Sequence, residues 1–141
     1  MSIGYPRGTV RKEHGAKTAV AAVSSRGRRP RVERDALGRN KTEAAYAQYL
    51  DLLVKSGEIE KWRFQSLRLR LGAPDDGSPR QSWYWPDFEI LLPSGAKELH
   101  DVKGHMEDDA LVKIKTAASL YSEYRFYTVS QDGRGWKCRK F

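Results

Sequence analysis

The stretch from Trp83 to Lys103 constrains the fold most. Trp83–Leu92 reads as an apolar strand, Pro93-Ser-Gly95 supplies turn chemistry, and Lys97–Lys103 returns as a second strand. That arrangement predicts an antiparallel hairpin. Helical periodicity follows over Met106–Tyr121, with Ala110, Ile114, Ala117, Ala118 and Tyr121 as its apolar stripe, and then a further strand over Arg125–Val129. A hairpin, a crossover helix and another strand require a mixed central sheet flanked by helices, an α/β architecture. Trp136–Phe141 is expected to add a short edge strand.

Upstream, Asn40, or Thr42, is placed to cap a helix running to about Lys55, with Ser56-Gly57 as its stop. Ala47, Leu50 and Val54 recur at helical spacing, and Tyr46 and Leu53 widen the stripe. Over Glu58–Leu71 the pattern changes to alternation: Leu67, Leu69 and Leu71 point one way, Arg68 and Arg70 the other. A single strand with one wet face is expected there. Ala73–Pro79 is dense in turn formers and reads as an exposed loop.

Residues 1–39 lack sustained periodicity and read as a basic, flexible arm ahead of a domain spanning residues 40–141. The net charge of the 141-residue chain is +8, and residues 1–40 carry ten Lys/Arg against three Asp/Glu, so nearly all the excess lies in the arm. A basic arm suits a polyanionic partner, because each cation that meets a phosphate releases a counterion. Arg28 and Arg29 are its candidate phosphate contacts. A merely solvated tail, or an organelle transit peptide, remains an alternative for this Arg- and Ser-rich segment. The lone Cys138 excludes an internal disulfide framework, so a reducing cytoplasm is the expected compartment. No apolar run approaches the length of a membrane span, and no membrane partner is expected.

The chemistry is concentrated in Pro86-Asp87-Phe88 and, fourteen residues after Asp87, Asp101-Val102-Lys103. Side chains two apart on a strand share a face, so Asp101 and Lys103 lie together with Leu99, and His100 and Val102 face the other way. On the partner strand Asp87 shares its face with Trp85 and Glu89. One sheet face can therefore gather Asp87, Asp101 and Lys103. Two carboxylates that close repel unless a proton or a cation sits between them, and a hard oxygen site of this kind suits Mg²⁺, with the Val102 carbonyl a further candidate ligand. A metal and a lysine so placed fit phosphodiester hydrolysis by activated water. Glu43 falls at helical spacing with Ala47, Leu50 and Val54 and should face the sheet, where it is a candidate for a second metal or for orienting the water. An ordinary first-turn acid, favoured by the helix dipole and the cap, is the alternative. An acid-x-lysine tripeptide is expected about once by chance in a chain this long. The weight therefore rests on both pieces lying on strands joined by a tight turn, with the inward acid Glu43 on the preceding helix.

Taken together, Asn40-Lys-Thr-Glu-Ala-Ala-Tyr-Ala-Gln-Tyr-Leu50, Trp62-Arg-Phe-Gln-Ser-Leu67, Tyr84-Trp-Pro-Asp-Phe88, His100-Asp-Val-Lys-Gly104 and Glu107-Asp-Asp-Ala-Leu-Val-Lys-Ile-Lys115 resemble a small phage-encoded group within the PD-(D/E)xK endonuclease superfamily. That group was long catalogued as a domain of unknown function and is akin to Holliday-junction resolvases. The resemblance spans roughly residues 40 to 130. It implies a restriction-endonuclease-like core, dependence on Mg²⁺ or Mn²⁺, and catalytic roles for Glu43, Asp87, Asp101 and Lys103. It further implies a DNA endonuclease leaving a 5′-phosphate, with branched DNA in phage replication or recombination as the expected setting, in the host cytoplasm. Asp101 stands where this group is associated with Glu, a departure that the superfamily pattern allows. Resolvase-like relatives act as dimers, so a homodimer is expected.

Lys113 and Lys115 fall on the two borders of the second helix's apolar stripe and are both candidates to reach nucleic-acid phosphate, or else water, with Lys113 the first choice for a role near the site. Arg68 and Arg70 are candidates for tracking a nucleic-acid backbone, or are charges guarding a strand edge. Among the tryptophans, core or rim roles are expected, with Trp85 alone placed to touch a substrate. His100 and His105 have no partner at metal-ligand spacing and read as structural. The competing functional reading is a non-catalytic nucleic-acid-binding protein that uses the arm alone, or an accessory protein with a vestigial site.

Overall fold

The computed structural model describes residues 31–73, 77, 79–104 and 107–141, and the elements below belong to the unit Glu33–Phe141. Arg28 and Arg29, Pro74 to Asp76, Ser78, His105 and Met106 lie outside the described residues. Just ahead of the first helix, the Asp35 carboxylate accepts from the amides of Leu37 and Arg39 and from the Arg39 guanidinium, closing a turn.

Helix α1 spans Lys41–Ser56. Asn40 caps it: its side chain accepts from the Glu43 amide at 2.9 Å, and Glu43 Oε2 accepts from the Asn40 amide at 2.8 Å. This reciprocal pair satisfies two of the amides that a helix start leaves unpaired. Gly57 ends the helix in the left-handed region, φ 80°, where a side chain would be strained.

Five strands form the main sheet in the order β1-β4-β5-β6-β7: β1 Lys61–Phe64, β4 Phe88–Leu91, β5 Lys97–Val102, β6 Tyr124–Asp132 and β7 Gly135–Lys140. Only β5 and β6 run parallel, and helix α2, Asp108–Leu120, makes the crossover that a parallel pair needs. The remaining strands, β2 Leu69–Gly72 and β3 Ser82–Tyr84, form a separate antiparallel ribbon. The architecture is mixed α/β. Two cores flank the sheet. On one face Tyr46, Ala47 and Leu50 of α1 meet Phe88, Ile90, Val102 and Val129. On the other Ile114 and Ala117 of α2 meet Leu99 and Phe126, with Leu69 and Tyr84 of the ribbon closing the cluster. Among the described residues no helix is long and apolar enough to cross a membrane.

Two expected strands are each broken in two. The alternating run Glu58–Leu71 is interrupted after Phe64 because Gln65 takes φ 45°, which turns the chain out of the sheet. Leu67, Leu69 and Leu71 do turn inward together, but against α2 and the ribbon rather than along one continuous strand. Trp83–Leu92 is interrupted at Trp85-Pro86-Asp87, since Pro86 has no amide to give a ladder. Arg68 accordingly lies in the connection before β2 and not on a strand. Helix α2 begins at Asp108, later than Met106, and β6 extends to Asp132, beyond the expected Val129.

Candidate active site

The break at Pro86 brings the two motifs together. Asp87 is the last residue before β4, and its position continues the antiparallel register that pairs Phe88 with His100. In place of a regular ladder pair with Asp101, each carboxylate takes an amide from the opposite segment. Asp101 Oδ1 accepts from the Asp87 amide at 3.3 Å, and Asp87 Oδ2 accepts from the Val102 amide at 2.9 Å. A third bond comes from the ribbon, where the Tyr84 hydroxyl donates to Asp101 Oδ2 at 2.7 Å. The Asp87 carbonyl is used too, accepting from the Gln65 amide at 2.8 Å. The turned-out Gln65 therefore helps hold the acid in place.

Both acids are buried, Asp87 at 8% and Asp101 at 6% exposure. Burial first, and then the neighbouring Asp101 charge, pushes Asp87 up to about 7, while the Val102 amide and Lys103 pull the other way. Asp101 is also raised by burial, against Lys103, the Tyr84 hydroxyl and the Asp87 amide. Burial and the Asp101 charge drive the Tyr84 hydroxyl well above its ordinary range, so it remains a donor. Lys103 follows β5 directly, its amide fixed to the Val129 carbonyl at 2.8 Å. The pair thus has one adjacent cation and a surplus of negative charge when ionised.

Asp101 and Lys103 open onto a shallow depression shared with Trp83, Trp85 and Lys113, and with Glu107 and Asp109 at the start of α2. Lys115, two residues on and so nearly opposite it round the helix, is exposed and does not line the depression. Arg70 is exposed on β2, where its Nε donates to Gln81 at 2.8 Å. Arg68 lays its guanidinium over the Trp83 ring, 4.4 Å from the centroid.

Glu43 stands apart from the pair. It is buried, yet α1 covers the sheet face opposite Leu99 and Asp101, and its carboxylate is engaged in the helix cap with Arg34 3.9 Å away. Its charge still reaches Asp87, as the smallest of the influences that raise it. Among the described residues no three Asp, Glu, His or Cys side chains group closely enough to hold a metal. The arrangement is a two-carboxylate site with a lysine, and the helix acid acts on it at a distance. His100 turns to the α1 face, between the Tyr46 hydroxyl at 2.6 Å and Glu98 at 2.9 Å, and takes no part in the depression.

Tyr84 is the functional side chain that sequence reasoning passed over. No local signal marked it: on a continuous strand its odd separation from Asp87 would put it on the opposite face, and it meets Asp101 only because β3 ends at Tyr84 and belongs to a different sheet.

No curated protein and no solved structure matches the chain. A family model does match, over residues 31–134, a span that includes Glu43, Asp87, Asp101, Lys103 and the helices on both faces. The chain belongs to DUF1064, a family described as a protein of unknown function.

Proposed function

We propose that this protein is a divalent-metal-dependent DNA endonuclease of the PD-(D/E)xK type, with a restriction-endonuclease-like core. The observation that carries the reading is the buried Asp87–Asp101 pair, cross-braced by main-chain amides beside Lys103. A stable core gains nothing from two adjacent buried acids, and each has been made reluctant to ionise. Adjacent carboxylates, with the Val102 carbonyl as a further oxygen, form a hard donor set that fits Mg²⁺ or Mn²⁺. Such an ion, when bound, supplies Lewis acidity for phosphodiester hydrolysis.

The chain's own groups do the rest. The Val102 amide fixes the orientation of Asp87, and the Tyr84 hydroxyl and the Asp87 amide fix that of Asp101. Lys103 directs an ammonium at the scissile phosphate and offsets charge that grows during in-line attack by water. Lys113, on the rim of the same depression, contacts a flanking phosphate. Glu43 tunes Asp87 through its field rather than by ligation. Branched DNA is the proposed substrate and a homodimer the proposed working form, since a four-way junction presents two equivalent strands.

The test is cleavage of supercoiled plasmid and of linear, forked and four-way substrates with Mg²⁺ against chelator. Wild type should cut in Mg²⁺ only. Asp101→Asn and Lys103→Ala should each lower the rate by at least about a hundredfold while still binding DNA. A wild-type protein that binds every form and cuts none would favour the non-catalytic reading.

A further inference from the structure

The two exposed indoles at the site have no use in hydrolysis. Trp85 is 57% exposed and Trp83 38%, and both line the depression that holds Asp101 and Lys103. Large aromatic rings left in water beside a polar site lose burial energy that a core position would provide. Trp85 is not loose, either. Its indole N–H donates to the Gln65 carbonyl at 3.4 Å, through the same turned-out residue whose amide holds Asp87. Its position is thereby tied to the carboxylate two residues on. Arg68 adds a planar cation, stacked over Trp83 at 4.4 Å and 6.0 Å from the Trp85 centroid.

We infer that Trp85, with Arg68 and Trp83 behind it, is a stacking shelf for an unpaired DNA base next to the phosphate at Asp101 and Lys103. The inference rests on the nuclease reading for the identity of that phosphate. Two exposed indoles with a planar cation near both match the face of a nucleobase, and Lys103 and Lys113 match the phosphates that flank it. Base pairs within an intact duplex present edges and a sugar-phosphate wall, so their faces cannot reach the shelf. A base freed at a fork, flap or branch can. The shelf thus selects DNA with unpaired nucleotides at the cut, by π-contact that is indifferent to base identity.

Binding in chelator separates this from cleavage. Fluorescence anisotropy of full-length protein is measured on a labelled single strand, a forked duplex and a blunt duplex of the same sequence, at one salt concentration. Trp85→Ala should weaken the single strand and the fork about tenfold and leave the blunt duplex within about twofold, and Trp85→Phe should recover most of the loss. Equal affinity of Trp85→Ala and wild type for the single strand would overturn the inference. So would an equal loss on all three forms. The exposed position of Trp85 makes misfolding a poor explanation of any loss, and unchanged duplex affinity serves as the internal control. If wild type cuts no DNA yet shows the Trp85-dependent preference, the nuclease reading fails and the shelf stands. If it cuts but Trp85→Ala binds normally, the reverse holds.

Discussion

Asp87 and Asp101 sit close together because main-chain geometry leaves them no alternative. Each accepts an amide from the other's segment, so rotating either away would strand a buried donor. The cost appears as a raised proton affinity, and its sign yields a prediction. Asp87 ionises near 3.8 when unfolded and at about 7 when folded without metal. The folded state therefore binds the extra proton across that interval, and the stability it gains is complete below the lower value and lost as pH rises through the upper one. In chelator at about pH 8, Asp87→Asn should be more stable than wild type, by on the order of a few kcal/mol, and the gap should be clearly smaller at about pH 5 and vanish only below the unfolded value of 3.8. Mg²⁺ should raise the wild-type melting temperature more at the higher pH and leave Asp87→Asn unmoved. Thermal melts of both proteins at the two pH values, with and without Mg²⁺, check this. A gap that widens on acidification would mean that Asp87 is not the strained group.

At the scale of elements, periodicity found the faces and missed the interruptions. Helix α1 was legible from Asn40 to Gly57 because a capping box and a left-handed glycine are local events, written in adjacent residues. The β4–β5 hairpin was legible for the same reason. The breaks at Gln65 and Pro86 were not, because alternation continues in sequence across both while the chain moves from one sheet to another. Glu43 shows the same limit: inward spacing was readable, but not which sheet face the helix would cover. Tyr84 reaches Asp101 only because β3 leaves the main sheet, a long-range outcome that no local pattern records. The break at Gln65 can be tested directly. Strand propensity alone would make Gln65→Val stabilising, whereas at φ 45°, where Gln65 already bears the left-handed cost, the added β-branch should destabilise by up to about 1 kcal/mol. Chemical denaturation of the variant decides it, and a gain in stability would mean that the strand runs through.

For the whole molecule, the two cores divide the labour. The α1 face buries Tyr46, Phe88 and Val129 and takes His100 out of the chemistry, holding it between Tyr46 and Glu98. The α2 face carries the ribbon, and with it Tyr84, Trp83 and the approach to Trp85, so Lys103, Lys113 and the two indoles proposed to meet DNA lie on that side. Mixed sheet, crossover helix and carboxylate spacing were all readable in advance. The ribbon was not, and it supplies both the brace on Asp101 and the aromatic rim.

The central claim is that Asp87 and Asp101 hold one divalent ion between them. Titration of the full-length protein with Mn²⁺, followed by the loss of the free-ion electron paramagnetic resonance signal at about pH 8, tests it most directly. Wild type and Glu123→Gln, which removes an exposed acid elsewhere, should each show the same saturable site. Asp87→Asn and Asp101→Asn should each abolish it. Mn²⁺ binding that is unchanged in both aspartate variants, or absent from wild type, would contradict the account.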